Sequence, residues 1–325
     1  MTSLADYNLE KKLGEGTFGI VFLASSKIDN MKVVIKMVKP DSSTKSNESI
    51  LEFSMGKDAG DRCPYVVKYI SVFKDIIPVG PLFERYYQNR NTTWMVIEYV
   101  EGYTLKQYVE CEKDTGYRLE VWDYLRFLEQ VFKVLSCLHN NGIIHGDLNP
   151  GNVYFGTKTR ELFLIDFGGA CKLSAKPGEN WKNGFFSCSI RDVVTPRIFA
   201  SKYINLKRER SPLNYSWTDQ ELRKIFRHND IHALLTISCT LFFPELTSSK
   251  SVKWLSSLKK TGWGASAFNF IKQEYQKFNK TDTTAIFKFL TEIIKLINEM
   301  NETVTADYVL TKIKTLQTLY PEPVN

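Results

Sequence analysis

Residues 143–168, IIHGDLNPGNVYFGTKTRELFLIDFG, constrain the chain more than any other stretch. Asp147, Asn152 and Asp166 fall in loop-type sequence, and the apolar runs at 152–155 and 162–165 predict a short β-hairpin. On this reading a carboxylate base stands at one end of the hairpin. At the other end stand a carboxylate and an amide, Asp166 and Asn152, whose oxygens suit Mg²⁺. Hard oxygen donors of this kind favour magnesium over zinc. The stretch therefore points to phosphate chemistry.

Composition removes several alternatives. With 43% hydrophobic and 24% charged residues over 325 positions, the chain can bury a large core and is not a disordered one. No apolar run approaches the roughly 18 residues that a spanning helix needs. The opening MTSLADYNLE lacks the basic and apolar regions of a secretory signal, so a cytosolic working place is expected. The cysteines at 63, 111, 137, 171, 188 and 239 show no CxxC spacing, which argues against zinc or a disulfide framework and predicts reduced, structural thiols. The formal charge of +7 comes mostly from scattered lysines. Residues 207–210 (KRER) with Arg223, Lys224 and Arg227 nevertheless cluster, which suits an acidic protein, phospholipid or nucleic acid surface; an acidic protein substrate is the partner expected there, ahead of nucleic acid.

Taken together, His145-Gly146-Asp147, Asn152 and Asp166-Phe167-Gly168 resemble the catalytic loop and DFG motif of the protein kinase superfamily. Either tripeptide by itself is an ordinary turn; order and spacing around a strand pair carry the resemblance. It implies an α+β, two-lobed fold: a small lobe over 1–97 with an antiparallel sheet and one main helix, a hinge at 98–101, and a larger, mostly helical lobe over 102–325. It also implies that Asp147 takes the proton of an accepting hydroxyl, while Asn152 and Asp166 hold Mg²⁺ on the phosphates of ATP.

Residues 7–38 read as three strands, the first two joined around Gly14-Glu15-Gly16-Thr17-Phe18-Gly19. The GxGxxG spacing also occurs in dinucleotide-binding folds, but no crossover helix follows it here, so that reading loses its context. Glycines let backbone fold closely over a triphosphate. Lys36 in VVIKM matches the lysine that clamps the α and β phosphates in the family. It needs an acidic partner from the helical segment 46–57; Glu52 is preferred to Glu48, which leaves little room for the connecting turn. Residues 64–73 read as a further strand, followed by a long loop. TTWMVIEYVEG resembles the last small-lobe strand and hinge, which implies Ile97 as the residue gating the deep pocket, and the Glu98 carbonyl and Val100 amide as contacts to adenine. By the same resemblance Leu13, Gly14, Gly16, Gly19, Val21, Val34, Tyr154 and Ile165 line the nucleotide.

Residues 121–139 carry Val121, Leu125, Leu128, Phe132, Leu135 and Leu138 at helical spacing, and His139 reads as a helix-end residue. The segment after Gly168, with Gly178, Asn183, Gly184, Thr195 and Pro196, corresponds to an activation segment. Asp230 opens DIHALLTISCTLFF and reads either as an N-cap or as the aspartate that family members use to brace the HxD turn. Amphipathic helices at 283–300 and 305–317 complete the large lobe, with Trp254, Trp263 and Phe268 as filling; the resemblance spans about 7–319.

Four features depart from the family pattern. Gly146 replaces the arginine of HRD, which removes a cation that pairs with a phosphorylated activation loop. Asn149 stands where serine/threonine kinases keep a lysine. Ala200-Ser201-Lys202 replaces APE, and Thr303 or Val304 stands where its arginine partner belongs, so both halves of that buried pair are gone. Residues 202–230 are long and carry the basic cluster. The expected activity is Mg·ATP-dependent transfer to Ser or Thr hydroxyls of proteins, ahead of Tyr. HGDLNPGN also resembles the HGDLHxGN of aminoglycoside, choline and sugar-lipid kinases, the main rival; a nucleotide-binding pseudokinase scaffold is the third reading.

Overall fold

The computed structural model describes residues 2–16, 19–39, 43–83, 89–112, 119–173, 200–201, 219–242, 263, 265–277 and 281–322. Thr17, Phe18, the segment 174–199, Lys202, the KRER run, Trp254 and the Glu48 side chain lie outside the described residues. The chain divides into two compact units, Met1–Glu101 with Asp166–Gly168, and Gly102–Ile165 with Gly169–Asn325.

The first unit is built on a five-stranded antiparallel sheet in the order β1-β2-β3-β5-β4. Its strands are β1 Tyr7–Glu15, β2 Gly19–Ser26, β3 Lys32–Val38, β4 Tyr69–Ile76 and β5 Asn91–Glu98. Alternation sends Ile20, Phe22, Ala24, Val33, Ile35, Met37, Trp94 and Val96 into one apolar cluster. Edge strand β1 is mostly exposed, carries Lys11 and Lys12, and breaks register between Leu9 and Lys11 and between Lys12 and Gly14, features that discourage edge pairing with another chain. Helix α1, Ser43–Arg62, turns Ser49, Glu52, Met55, Gly56 and Ala59 inward at helical spacing. The strand expected at 64–73 begins only at Tyr69. Pro64 has no N–H to give a ladder and Tyr65 sits at φ 64°, so these residues turn the chain instead.

The second unit is mainly helical. Its elements are β6 Gly102–Thr104, α2 Leu105–Glu112, α3 Val121–Asn140, β7 Ile143–Ile144, β8 Val153–Gly156, β9 Leu162–Leu164 and β10 Cys171–Lys172, then α4 Asp219–Ser238, α5 Ala265–Gln276, α6 Thr284–Asn298 and α7 Ala306–Leu319. Tyr124, Leu125, Leu128, Val131, Phe132, Leu135 and Leu138 of α3 are buried, and α3 packs along α7, which buries Val309, Ile313 and Leu316. Trp263 and Phe268 are buried with ring centroids 5.7 Å apart, as the filling role requires. Ala200 packs with Ile144, Ile225 and Phe226, and the Ser201 main-chain N–H donates to Asn229 Oδ1 at 3.0 Å.

Cys111 and Cys239 are free, but Cys63, Cys137 and Cys171 are disulfide-bonded, which corrects the expectation of reduced thiols for those three. Spacing along a chain does not report which sulfurs meet in space. No helix among the described residues is long and apolar enough to cross a membrane.

Candidate functional site

The pleat of the first unit decides which side chains share a face. Val21 pairs with Lys36 and Lys36 with Met95, while Leu23 pairs with Val34 and Val34 with Ile97. Val21, Val34, Lys36 and Ile97 therefore lie together on the sheet face opposite the apolar cluster. The hairpin of β1 and β2 closes through Gly16 N to Gly19 O at 2.9 Å. A Cβ on Gly14 or Gly16 would meet nothing within 4 Å, whereas one on Gly19 would fall 2.6 Å from Met37 O. The turn thus hugs β3 at Gly19 and leaves open space at Gly14 and Gly16. Leu13 sits beside the bulge, 43% exposed. Glu98 ends β5, with its N–H on Lys68 O at 2.8 Å, and Val100 lies just beyond.

Lys36 is the buried cation of this unit. Its Nζ lies 2.6 Å from Glu52 Oε1 and 3.1 Å from Asp166 Oδ1. Burial pulls its pKa down, but the Glu52 and Asp166 carboxylates more than compensate and hold the ammonium above its ordinary value. Burial pushes Glu52 up, and Lys36 opposes that push. Losing either carboxylate's partner would strand charge in a poorly solvated place, so the group stands or falls together. Asp166 adopts φ 62°, a conformation Asp tolerates better than most residues, and Gly168 N donates to its Oδ1 at 3.4 Å.

In the second unit the loop between β7 and β8 wraps around Asp147. Asn152 Nδ2 donates to the Asp147 carbonyl at 2.7 Å and to its Oδ2 at 3.2 Å. Asn149 Nδ2 reaches Asp147 Oδ1 at 3.3 Å while its own Oδ1 accepts Gly151 N at 2.8 Å. Two amides thus aim one carboxylate. His145 accepts the Asp147 N–H on Nδ1 at 3.4 Å, which leaves Nε2–H to donate to Ile165 O at 3.1 Å. Asp230, fully buried, accepts the His145 N–H at 2.8 Å and the Gly146 N–H at 3.1 Å, and His139 Nε2 at 3.2 Å.

Several expectations change here. Asp147 and Asn152 were placed at opposite ends of the hairpin; they are hydrogen-bonded at 3.2 Å, so both stand at one end of it. An antiparallel pair returns the chain to its starting edge. Asp230 is no N-cap, because α4 begins at Asp219 and carries it mid-helix. His139 is more than a helix end, since it shares Asp230 with the loop. The basic cluster is partly spent internally: Lys224 pairs with Glu302 at 2.7 Å, and Arg227 is half-buried with Nη2 on His139 O at 3.4 Å. Tyr154 sits on β8 opposite Phe163, and Ile165 follows β9. Sequence reasoning passed over Tyr69 and Gly56; a glycine inside a helix was the available signal.

Each unit, taken by itself, offers a hard oxygen donor of the kind magnesium takes. Turning Nδ2 toward Asp147 leaves the Asn152 Oδ1 on the other side of the amide, and Asp166 offers a carboxylate 44% exposed. Among the described residues no cluster of three or more Asp, Glu, His or Cys could cage a metal by itself.

Residues 7–187 match the model of the protein kinase domain. The chain is 29% identical over 174 residues to a protein named serine/threonine-protein kinase PknD in Chlamydia felis, covering 50% of this chain and 17% of that one. The namesakes in Chlamydia caviae and Chlamydia abortus are 29% identical over 174 residues and 26% identical over 179. The matched stretch spans under a fifth of each relative, 17% to 18% of its length. With a match that covers more than half its residues, and the motif residues in their places, the chain belongs to the protein kinase domain family.

Proposed function

We propose that the chain is a Mg·ATP-dependent protein kinase that phosphorylates Ser or Thr hydroxyls. One observation carries the reading: Lys36 is held by Glu52 and Asp166 at 2.6 and 3.1 Å, an arrangement that costs desolvation and has no structural need of three charges. The names of the relatives support the Ser/Thr assignment.

In this mechanism Lys36 holds the α and β phosphates, and the open face at Gly14 and Gly16 lets main-chain N–H groups approach them. Val21, Val34 and Ile97 cover the base, and the Glu98 carbonyl and Val100 amide meet its edge. Asn152 and Asp166 would hold magnesium, which would supply positive charge to offset that of the phosphates. Asp147, aimed by Asn149 and Asn152, accepts the proton of the attacking hydroxyl. The acceptor oxygen bonds to the γ phosphorus, the bond to the bridging oxygen breaks, and ADP leaves.

The test is incubation with labelled ATP and three acceptor sets: a cell lysate, a peptide array, and a panel of aminoglycosides, choline and lipids. Label on protein Ser or Thr supports the reading. Label confined to the small-molecule panel overturns it in favour of a small-molecule kinase. Tight nucleotide binding with no label anywhere overturns it in favour of a scaffold.

A further inference from the structure

Lys39 follows Val38, the last residue of β3. Val33, Ile35 and Met37 enter the apolar cluster while Val34 and Lys36 face the other way, and Lys39 continues the odd-numbered series. Its Nζ donates to the Gly16 carbonyl at 3.0 Å and lies 2.7 Å from Glu15 Oε1. Glu15 reaches that side because β1 is bulged. Residues three apart in a regular strand point to opposite faces; the extra residue between Lys12 and Gly14 puts Lys12 and Glu15 on one face, where they pair at 2.6 Å. In the sheet β2 lies between β1 and β3, so Lys39 ties the first strand directly to the third. Gly16 is held at both of its main-chain polar atoms: its N–H donates to Gly19 O at 2.9 Å and its carbonyl accepts from Lys39. Lysine pairs on an open surface hold little, but the Lys39 side chain is only 24% exposed and is fixed at two points.

We propose that Lys39 is a positioning residue for the nucleotide: it holds the glycine-rich turn by the Gly16 carbonyl from the face opposite Lys36, so that the turn presents N–H groups to phosphate on the Lys36 face. The inference rests on the kinase reading above and deepens it. Carbonyl and N–H of a trans peptide point in opposite directions, so a carbonyl gripped from one side of the sheet turns its own peptide's N–H to the other. No peptide among the described residues is cis. The glycines make such a grip necessary, because a Cβ on Gly14 or Gly16 would meet nothing within 4 Å and glycine main chain turns either way. Left loose, the turn would offer carbonyl oxygens to a polyanion about as readily as N–H groups. Lys39 and Lys12 also share the Glu15 carboxylate, which stands between the two glycines.

The test measures binding of Mg·ATP and of adenosine to the full chain by calorimetry, with thermal unfolding alongside, for wild type, Lys39→Met, Lys39→Arg and Lys12→Met. Lys39→Met is expected to weaken Mg·ATP about fivefold, with a melting temperature near wild type. Adenosine has no phosphates for the turn to hold, and its affinity stays within about twofold. Lys39→Arg keeps a cationic donor and brings Mg·ATP back to within about twofold of wild type. Lys12→Met takes a charge from Glu15 and nothing from Gly16, and Mg·ATP again stays within about twofold. Unchanged affinity for Mg·ATP in Lys39→Met overturns the proposal and leaves the kinase reading standing. An equal loss of adenosine binding assigns the lysine to general folding of the sheet and overturns it too. So does a loss in Lys12→Met as large as in Lys39→Met, which reduces the effect to the charge on Glu15. A wild type that binds neither ligand overturns the kinase reading and this inference with it.

Discussion

Gly146 shows how one residue can be misread without coordinates. In the sequence it is a lost arginine; in the structure it sits at φ 73°, with an added Cβ 2.2 Å from Gly169 O. The close approach to Gly169 gives glycine a steric role there, beyond the absence of a regulatory cation. Gly146→Arg is expected to destabilise the chain by at least about 1 kcal/mol from the left-handed backbone alone, read as a shifted midpoint in urea. At Asp147 the two amides make a sharper test. Asp147→Asn should leave ATP affinity near normal and cut turnover about 10²- to 10⁴-fold, whereas Asp166→Ala should abolish transfer. Undiminished turnover in the Asn variant would remove Asp147 from its role as base.

Elements were legible where apolar periodicity was long. Helix α3 was readable from Val121 to Leu138 because its apolar stripe repeats over five turns. Helix α4 was not, because its first half carries Arg223, Lys224 and Arg227 and resembles a solvated loop until the partners of Lys224 and Arg227 are seen. That is why Asp230 was read as a possible cap. Placed mid-helix, it reaches the β7 to β8 loop from a rigid element, a more exact support than a helix end would give. Asp230→Ala strands two buried N–H groups and the His139 Nε2. A loss of about 2–4 kcal/mol in denaturant unfolding is expected, together with lower turnover. Full turnover in a folded variant would show that the loop holds its shape unaided.

At the scale of the molecule, the fold class holds: an antiparallel sheet with one main helix, followed by a mainly helical unit. What sequence did not convey were pairings between distant segments, such as Lys224 with Glu302, Ser201 with Asn229, and Tyr69 with Phe167. These depend on registry between elements, which no local pattern encodes. One such meeting governs acid stability. His228 is 2% exposed, and burial lowers its pKa to about 4, outweighing the main-chain carbonyls at Val304 and Asn301 that favour its protonated form. The folded chain keeps this imidazole neutral while the unfolded chain protonates it near pH 6.5. Its contribution is therefore intact above about pH 6.5 and declines as pH falls toward 4, by on the order of 3 kcal/mol. His228→Gln should flatten that part of the stability curve, measured by unfolding at pH 4.5 and 7.5; an unchanged slope would assign the acid sensitivity to other groups.

On the proposed mechanism, the two-carboxylate grip on Lys36 also sets a condition on the first encounter with nucleotide. An ammonium has three protons to share, and two already point at carboxylates. Arriving phosphate must compete with Asp166, whose contact is the longer and more solvated of the two. Lys36 is, on that mechanism, occupied by an internal stand-in for phosphate until Asp166 is drawn elsewhere.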